Sequence, residues 1–268
     1  MADGTPAPGA APLLLVTRPP AQADEWVAQL AARGIAAQAL PLLGIADAPD
    51  PAALRAAWAG LADQQLAMFV SPSAVERFFG QAPAAAQWPA GTWAGSTGPG
   101  TSAALLRAGV PAAAIVSPPQ DEARFDSEAL WRQLQLRRDW RGARALIVRG
   151  EGGRDWLAET LRQHGAQVHF VEAYRRTAPV LTAAQQALLQ QALAQPALHL
   201  WHFSSSEAVH QLPALAPGAQ WSRSRALATH PRIAQAARDI GFGAVQAVDV
   251  GVDAVAAHIT RSIQSARP

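Results

Sequence analysis

The sequence predicts an α/β protein built from two copies of one unit, each a parallel β-sheet with helices on both faces. Short apolar runs are followed by a polar or glycine-rich turn and then by apolar residues at helical spacing. This alternation is typical of parallel sheets that are covered by helices. Three such segments recur in the same order after 131 to 134 residues. At 268 residues the chain has room for two domains.

The first repeated segment is a strand, a helix and a closing glycine. Near the N-terminus we predict a strand at Leu13–Thr17 and a helix from about Ala21 to Arg33 that ends at Gly34. The same three elements recur in the middle of the chain, at Ala143–Arg149, Arg154–His164 and Gly165. A further strand, Gln167–Tyr174, follows and ends on the only tyrosine of the protein.

The other two repeated segments have the same order of elements. LAMFVSPSAVERF at 66–78 matches LWHFSSSEAVHQL at 200–212, and AGSTGPGTSAALLRAG at 94–109 matches ALATHPRIAQAARDIG at 226–241. Later in the chain, Asp126 and Ser127 favour a helix start, and 182–195 and 252–263 are predicted helices.

Ligands of parallel sheets bind outside the carboxyl ends of the strands, near the N-termini of helices. Nearly all the residues predicted there are hydroxyl-bearing residues, glycines or arginines: Arg18, Ser71, Pro72, Ser73, Gly98, Pro99, Gly100, Thr101, Arg149, Gly150, Ser204, Ser205, Ser206, His230, Pro231 and Arg232. Backbone amides at helix starts, hydroxyls and guanidinium groups all donate hydrogen bonds. The set therefore predicts the binding of anions.

The composition excludes several kinds of chemistry. The chain has no cysteine and no lysine, so that all 22 basic residues are arginines. Thiolate catalysis, cysteine metal sites, Schiff-base lysines and the lysine of a Walker phosphate loop are therefore excluded. A formal net charge of +2 does not indicate a nucleic-acid-binding protein.

No segment has the ~18 consecutive apolar residues of a membrane span, and the N-terminus lacks the pattern of a signal peptide. We expect a disordered tail at residues 1–11, no membrane association and a cytoplasmic location.

Several motifs have a structural explanation beside a functional one. The loop RGEGG at 149–153 lacks the spacing of a dinucleotide fingerprint, and its glycines are explained equally well by a tight turn. The proline of GPGT at 98–101 is explained by a helix start alone. His199 and His202 lie three apart in a predicted strand, point to opposite faces and make a poor metal pair. His230, at a strand end, is the histidine we expect nearest a ligand.

Tyr174 has two interpretations. A lone tyrosine at the end of a strand is more often a packing residue than an acid. However, Arg175 and Arg176 follow it directly and would stabilise a phenolate, so the phenol could act as a positioned proton donor.

Taken together, these residues resemble the uroporphyrinogen-III synthase family. The matching segments span almost the whole chain after the tail, and their order is specific although each alone is loose. They are LLLVTRPPAQADEWVAQLAARG, MFVSPSAVERFF, GPGTSAALLRAG, DSEALW, LIVRGEGGRDWLAETLRQHGAQVHFVEAYRR, FSSSEAV and HPRIAQAARDIGF.

The resemblance implies two flavodoxin-like lobes joined by a two-stranded connector, with the active site in the cleft between them. Lobe one would comprise residues 12–35 and 177–268, lobe two residues 45–166, and the connecting strands residues 36–44 and 167–176. This chain path does not follow from the repeats.

The resemblance also implies a cyclising hydro-lyase that needs neither cofactor nor metal. Linear hydroxymethylbilane, a polycarboxylate, would lose water and close to uroporphyrinogen III with ring D inverted. Tyr174 matches the tyrosine proposed to assist the loss of the hydroxyl, and Ser71 and Thr101 match positions near the substrate. His230-Pro231-Arg232 departs from the glycine-rich turn of the first copy. A monomer is expected, with possible transient contact with the enzyme that makes the bilane.

Two alternatives remain open from the residues alone. The first is a non-enzymatic two-lobed binding module for an acidic small molecule, in which Tyr174 would only pack. The second, a nucleotide-dependent flavodoxin-like enzyme, is disfavoured by the absence of lysine and of a dinucleotide fingerprint.

Overall fold

The computed structural model describes residues 11–119 and 125–265, which form two compact units. Unit 1 comprises Met1–Gly44 and Thr177–Pro268, and unit 2 comprises Ile45–Arg176. The tail expected at residues 1–11 lies, apart from Ala11, outside the described residues. Each unit contains a parallel sheet between helices, which confirms the predicted fold class.

The strands of the described residues are numbered in chain order. They are β1 Leu13–Val16, β2 Ala37–Ala39, β3 Gly44–Asp47, β4 Leu66–Phe69, β5 Trp93–Ser96, β6 Ile115–Val116, β7 Arg144–Gly150, β8 Gln167–Thr177, β9 His199–Phe203, β10 Arg225–Ala228 and β11 Ala244–Ala247.

The helices of the same residues follow most of these strands. They are α1 Pro20–Ala31, α2 Pro51–Ala59, α3 Pro72–Phe79, α4 Pro99–Arg107, α5 Ser127–Leu134, α6 Trp156–Gln163, α7 Ala183–Ala194, α8 Ser206–Leu215, α9 Pro231–Asp239 and α10 Val252–Ser265, with short 3-10 turns at Leu61–Asp63, Ala112–Ala114 and Pro196–Leu198. None of these helices is long and apolar enough to cross a membrane.

The sheet of unit 1 has the strand order β11-β10-β9-β1-β2, with all neighbours parallel. Counted along the chain from β1, this is the order 2-1-3-4-5 of flavodoxin-like folds. The order reverses between β1 and β9, and the ligands of such sheets bind outside the strand ends at that point.

The sheet of unit 2 has the same arrangement reached by a different chain path. Its order is β3-β8-β7-β4-β5-β6, and the pairs from β8 to β6 are parallel. Here β7, β8, β4, β5 and β6 take the places of β1, β2, β9, β10 and β11. The registers agree as well, since Leu14 pairs with Ala37 and Ala145, 131 residues later, pairs with Val168. Unit 2 is thus a circular permutation of unit 1 with β3 added at one edge.

Alternate residues of the central strands supply the cores on the two faces of each sheet. In unit 1, Leu15 and Trp201 pack with α7, α8 and α9, while Leu14 and Val16 pack with α1 and α10. Unit 2 repeats this pattern with clusters against α2 to α4 on one face and α5 and α6 on the other. This two-residue alternation is the pleat of a strand that is covered on both faces.

The segments expected to connect the lobes belong to strands of the two sheets. Of residues 36–44, Ala37–Ala39 forms β2 and pairs with β1, while residues 167–176 belong to β8 and pair with β7. The strand beside β8 at the edge of the sheet is β3. A short alternating run does not reveal which strand it will pair with, and this is why the sequence left the choice open.

One helix starts later than predicted. The helix expected from Arg154 begins at Trp156, with Asp155 as its N-cap residue. Gly152 and Gly153, just before this start, have φ values of 70° and 120°. These values lie in the left-handed region, which no helix residue occupies.

Candidate functional site

The predicted site residues divide between the two units, and most of them lie beyond the carboxyl ends of strands. Unit 2 carries Ser71, Pro72, Gly98, Thr101, Arg149, Gly150 and Tyr174, and unit 1 carries Arg18, Ser204, Ser205, His230 and Arg232. Of these, Arg149 and Gly150 are the last residues of β7, and Tyr174 lies within β8.

The side chain of Tyr174 is fixed in unit 2. Tyr174 is 2% exposed, and its ring belongs to the apolar cluster beneath α2, α3 and α4. Gly150 lies opposite it in β7, at a register shift between the two strands. A Cβ atom on Gly150 would lie 2.7 Å from the Cε2 and Cζ atoms of the ring. Gly150 therefore has a packing role, because only a glycine leaves room for the phenol.

The hydroxyl of Tyr174 has two polar partners. The Ser71 Oγ atom lies 3.0 Å from it, and the Arg176 Nη2 atom donates a hydrogen bond to it over 3.3 Å. Ser71 is also the N-cap of α3, because its Oγ accepts from the Ala74 N–H at 3.2 Å. Pro72 occupies the first position of that helix. A hydroxyl, a phenol and a guanidinium group thus meet at the carboxyl ends of β4 and β7, beside the last residues of β8.

The guanidinium group of Arg149 already has partners within unit 2. Its guanidinium group forms an ion pair with Asp155 and lies 4.1 Å above the ring of Phe170, and the side chain is 16% exposed. Its Nε atom is buried, and no residue that the structure describes accepts a hydrogen bond from it. The Asp155 carboxylate compensates the charge that we expected to face a ligand.

The loop at Gly98 and Thr101 uses its amides internally. The Gly98 N–H donates to the Ser96 Oγ over 3.2 Å, and the Thr101 N–H donates to the Gly98 carbonyl over 3.1 Å. Thr101 itself is buried. In this conformation the two residues build the start of α4.

In unit 1, Arg18, Trp26 and His202 are stacked where β1 and β9 end. The Cζ atom of Arg18 lies 4.2 Å from the ring centroid of Trp26, and Trp26 stacks on His202 with centroids 4.7 Å apart. The Nη1 atom of Arg18 donates to the neutral amide of Gln22 over 3.4 Å. Arg18 therefore donates a hydrogen bond to an uncharged side chain, in contrast to Arg149, and the Glu25 carboxylate acts on it only through its charge.

Burial lowers the pKa of both titratable members of this stack. Desolvation lowers the pKa of Arg18 to about 10, against the opposing influence of the Glu25 carboxylate. Desolvation, and then the positive charge of Arg18, lower the pKa of His202 to about 3. His202 is fully buried, and neither ring nitrogen has a hydrogen-bond partner among the described residues. At neutral pH it is therefore an uncharged ring.

The remaining predicted residues lie at helix starts of unit 1. Ser205, next to Ser204, is the N-cap residue of α8, but its side chain makes no capping hydrogen bond. The His230 Nδ1 atom accepts from the Arg232 N–H over 3.1 Å and so caps α9, while Arg232 is exposed. Among the described residues no group of three or more histidines or acids could hold a metal ion.

Sequence reasoning missed the contacts that define each cluster. Ser71 and Tyr174 are 103 residues apart, and no local pattern relates them. Trp26 and His202 became important only through stacking, although the repeats did place β1 and β9 as equivalents of β7 and β4. The useful signal was therefore the repeat, which identifies the strand ends without identifying the partners.

The comparisons with known proteins agree on one family. The family model of uroporphyrinogen-III synthase HemD matches residues 24–257. The chain is 32% identical over 245 residues to uroporphyrinogen-III synthase from Escherichia coli strain K12, which covers 88% of this chain and 94% of the relative. Its identity to the enzyme of the same name from Salmonella typhimurium strain LT2 is 31% over 243 residues.

A solved structure shares the fold. A mutant uroporphyrinogen III synthase from the extremely thermophilic bacterium Thermus thermophilus superposes with a TM-score of 0.55 at 20% identity, covering 95% of this chain and 100% of that chain.

Proposed function

Because the chain belongs to the uroporphyrinogen-III synthase family, we propose that it converts linear hydroxymethylbilane into uroporphyrinogen III. The observation that carries the proposal is the cluster at the strand ends of unit 2, where the Tyr174 hydroxyl lies between Ser71 and Arg176. A phenol held in this way is suited to give a proton to a leaving hydroxyl group.

The proposed reaction begins with the loss of water. The terminal C–O bond of the bilane breaks, its electron pair stays on oxygen, and a proton joins that oxygen to release water. The azafulvene cation that remains is attacked by the substituted carbon of ring D, and the spiro intermediate fragments and recloses with ring D inverted. Closure releases one proton, so the proton used at the start is recovered. No electrons are exchanged with a second reagent, and we propose a cyclising hydro-lyase without a cofactor.

In the proposed first step Tyr174 supplies the proton. The phenolate that remains would accept hydrogen bonds from Arg176 and from Ser71. Hydrogen bonds to charged groups stabilise by about 1.5–3 kcal/mol each. These contacts are stronger after the proton has left than before, which is the condition for lowering a barrier.

We propose Arg18 as the guanidinium that binds a carboxylate of the substrate. Arg149, at the equivalent position of unit 2, already forms an ion pair with Asp155, whereas the side chain of Arg18 donates to the amide of Gln22. A carboxylate that replaces this neutral partner would gain a charge-assisted hydrogen bond. We propose further contacts from the hydroxyls of Ser204, Ser205 and Thr101. The helix starts at Gly98 and at His230-Pro231-Arg232 are the remaining proposed contacts.

The test is the identity of the macrocycle formed from freshly prepared hydroxymethylbilane. Without an enzyme the bilane closes to the type I isomer, because nothing favours attack at the substituted carbon. We expect the protein to give the type III isomer, separated from type I by chromatography. Formation of type I alone, at the rate seen in buffer, would contradict the proposal.

The binding module for an acidic small molecule stays the second candidate, and the burial of Tyr174 favours it. A core tyrosine needs no chemical role. In the same assay such a module would bind the bilane or its product without changing the isomer ratio. The cytoplasmic location, the monomeric state and the contact with the preceding enzyme remain predictions.

A further inference from the structure

Ser71 has a more specific role than contact with the substrate. We propose that Ser71 is a positioning residue, whose hydroxyl donates to the Tyr174 oxygen and leaves the phenol proton free for the leaving group of the substrate. This inference rests on the proposed function and deepens it at the same site.

The hydrogen-bond capacities of the three side chains support this direction. A guanidinium group can only donate, so the Tyr174 oxygen is the acceptor of the Arg176 hydrogen bond. The Ser71 Oγ atom already accepts the Ala74 N–H, and its own proton is available for the tyrosine oxygen 3.0 Å away. With both neighbours donating, the O–H of Tyr174 is not consumed within the protein.

The state after proton transfer strengthens the assignment. A phenolate oxygen accepts hydrogen bonds and has none to donate, so Ser71 must then be the donor of the pair. The contact is therefore strongest once the Tyr174 O–H bond has broken and the proton has joined the departing oxygen. The capping bond from Ala74 meanwhile holds the Ser71 oxygen in place.

Unit 1 provides an internal comparison. Ser205 is the residue of unit 1 that matches Ser71, and it too precedes a helix that follows a central strand. At the repeat offset that aligns β1 with β7, however, Tyr174 corresponds to Leu43 and Arg176 to Ile45. The matched serine of unit 1 thus has neither a phenol nor a guanidinium group at the corresponding positions. We assign the proton transfer to unit 2.

A double-mutant cycle tests the coupling. The rates of type III formation are measured for the unaltered protein, Ser71→Ala, Tyr174→Phe and the double variant. Ser71→Ala is expected to lower kcat about tenfold with little change in KM, and Ser71→Thr, which keeps the hydroxyl, to restore most of the rate. In the Tyr174→Phe protein the serine change should cause no further loss, because the group through which it acts is gone.

The control separates this effect from the loss of a helix cap. Asp50 caps α2 in the same unit through the N–H groups of Ala52 and Ala53, so Asp50→Ala removes a cap away from the cluster. It should lower the unfolding temperature without lowering kcat. If Ser71→Ala does not fold, Ser71→Gly replaces it, since glycine is tolerated at an N-cap much better than alanine.

Three outcomes overturn the inference. They are multiplicative losses in the double variant, a rise in KM in place of a fall in kcat, and a Tyr174→Phe protein as active as the unaltered one. In each case the unaltered protein still forms the type III isomer and the proposed function stands. If the unaltered protein formed only the type I isomer, both the inference about Ser71 and the proposed function would be wrong.

Discussion

At Gly150 the space for a side chain is filled by the ring of Tyr174, and the change Gly150→Ala exploits this. A methyl group there would lie 2.7 Å from two ring carbons, so the ring or the strand must move. We expect a loss of about 1–3 kcal/mol in the free energy of unfolding, as for other overpacked sites. We also expect slower formation of the type III isomer, because the phenol is displaced from Ser71. Urea unfolding and the isomer assay measure the two effects.

A second glycine of the same unit serves as the control. Gly60 has a φ of −93°, and a Cβ atom added to it would lie 3.7 Å from its nearest neighbour, the Ala56 carbonyl oxygen. Gly60→Ala should change neither stability nor rate by much. If the two alanine variants behaved alike, the close approach at Gly150 would have no consequence.

Tyr174→Phe removes the hydroxyl and keeps the ring in its apolar cluster. We expect the rate of uroporphyrinogen III formation to fall at least tenfold, in line with the ~10²–10⁴-fold contribution of general acids. The free energy of unfolding should change by only about 1 kcal/mol, the usual net value of a hydrogen bond. An unchanged rate would leave Tyr174 as a packing residue and remove it from the mechanism.

His202 makes the stability of the protein depend on pH. Its pKa is lowered from 6.5 to about 3 in the folded protein, so between these values the unfolded chain binds a proton that the folded chain does not. Stability must therefore decrease as the pH falls below about 6.5. From pH 7 to pH 5 this residue alone should remove about 2 kcal/mol from the free energy of unfolding.

His202→Met tests this effect with a side chain taken from the other unit. Met68, 134 residues earlier, occupies the matching position of β4 and is buried there. The variant should lose less stability than the unaltered protein between pH 7 and pH 5 in urea titrations. Parallel pH profiles for the two proteins would show that His202 does not stay neutral in the fold.

The residues of the site were predictable only as candidates. Tyr174 stood out because it is the sole tyrosine and precedes two arginines. The guanidinium groups of Arg18 and Arg149 looked equivalent in the repeat, but Asp155 and Gln22 give them different partners. Side-chain partners depend on rotamers and on distant strands, and a pattern of residue types does not contain this information.

At the scale of single elements, helix starts were the most predictable features. Asp126 was expected as a cap, and its carboxylate accepts from the Ala129 N–H over 2.9 Å. Ser205 and His230 show the limit of such patterns. The side chain of the first makes no capping hydrogen bond to a described residue, and the second caps α9 through a ring nitrogen, which the sequence did not predict.

Thr182→Ala tests a helix start that is remote from the proposed site. The Thr182 Oγ1 atom accepts from the Gln185 N–H over 3.2 Å, and the Gln185 side chain accepts from the Thr182 N–H over 3.0 Å. Loss of this capping box should cost about 1 kcal/mol of unfolding free energy. Thr182→Ser keeps the acceptor and should cost much less, as measured by urea unfolding. Equal losses in both variants would show that the cap does not stabilise α7.

At the scale of the whole molecule, the repeats identified equivalent strands but not the chain path. They matched β1 with β7, β4 with β9 and β5 with β10, and these strands do occupy equivalent places in the two sheets. Which sheet each strand joins depends on long-range pairing, and this left β2, β3 and β8 ambiguous. The division of the chain came from the family resemblance.

Unit 2 should fold without unit 1. It is a continuous segment with its own apolar clusters on both faces of its sheet. We expect a fragment of residues 44–177, which includes all of β3 and β8, to show a cooperative thermal transition by circular dichroism. A fragment of similar length, residues 12–145, contains strands of both units and should show no such transition. A non-cooperative 44–177 fragment would mean that unit 2 needs the remainder of the chain.

The chain leaves unit 1 after Gly44 and returns at Thr177, and these two residues touch. A Cβ atom added to Gly44 would collide with the Oγ1 atom of Thr177. Relative to unit 1, residues 45–176 are an insertion between β2 and α7, and this insertion begins and ends at neighbouring residues. The length of such an insertion adds little to the entropy cost of folding unit 1, because the two ends of the insertion already lie together. A short glycine linker in place of residues 45–176 should leave unit 1 with its five strands, so this junction is a natural place to exchange the inserted unit for another.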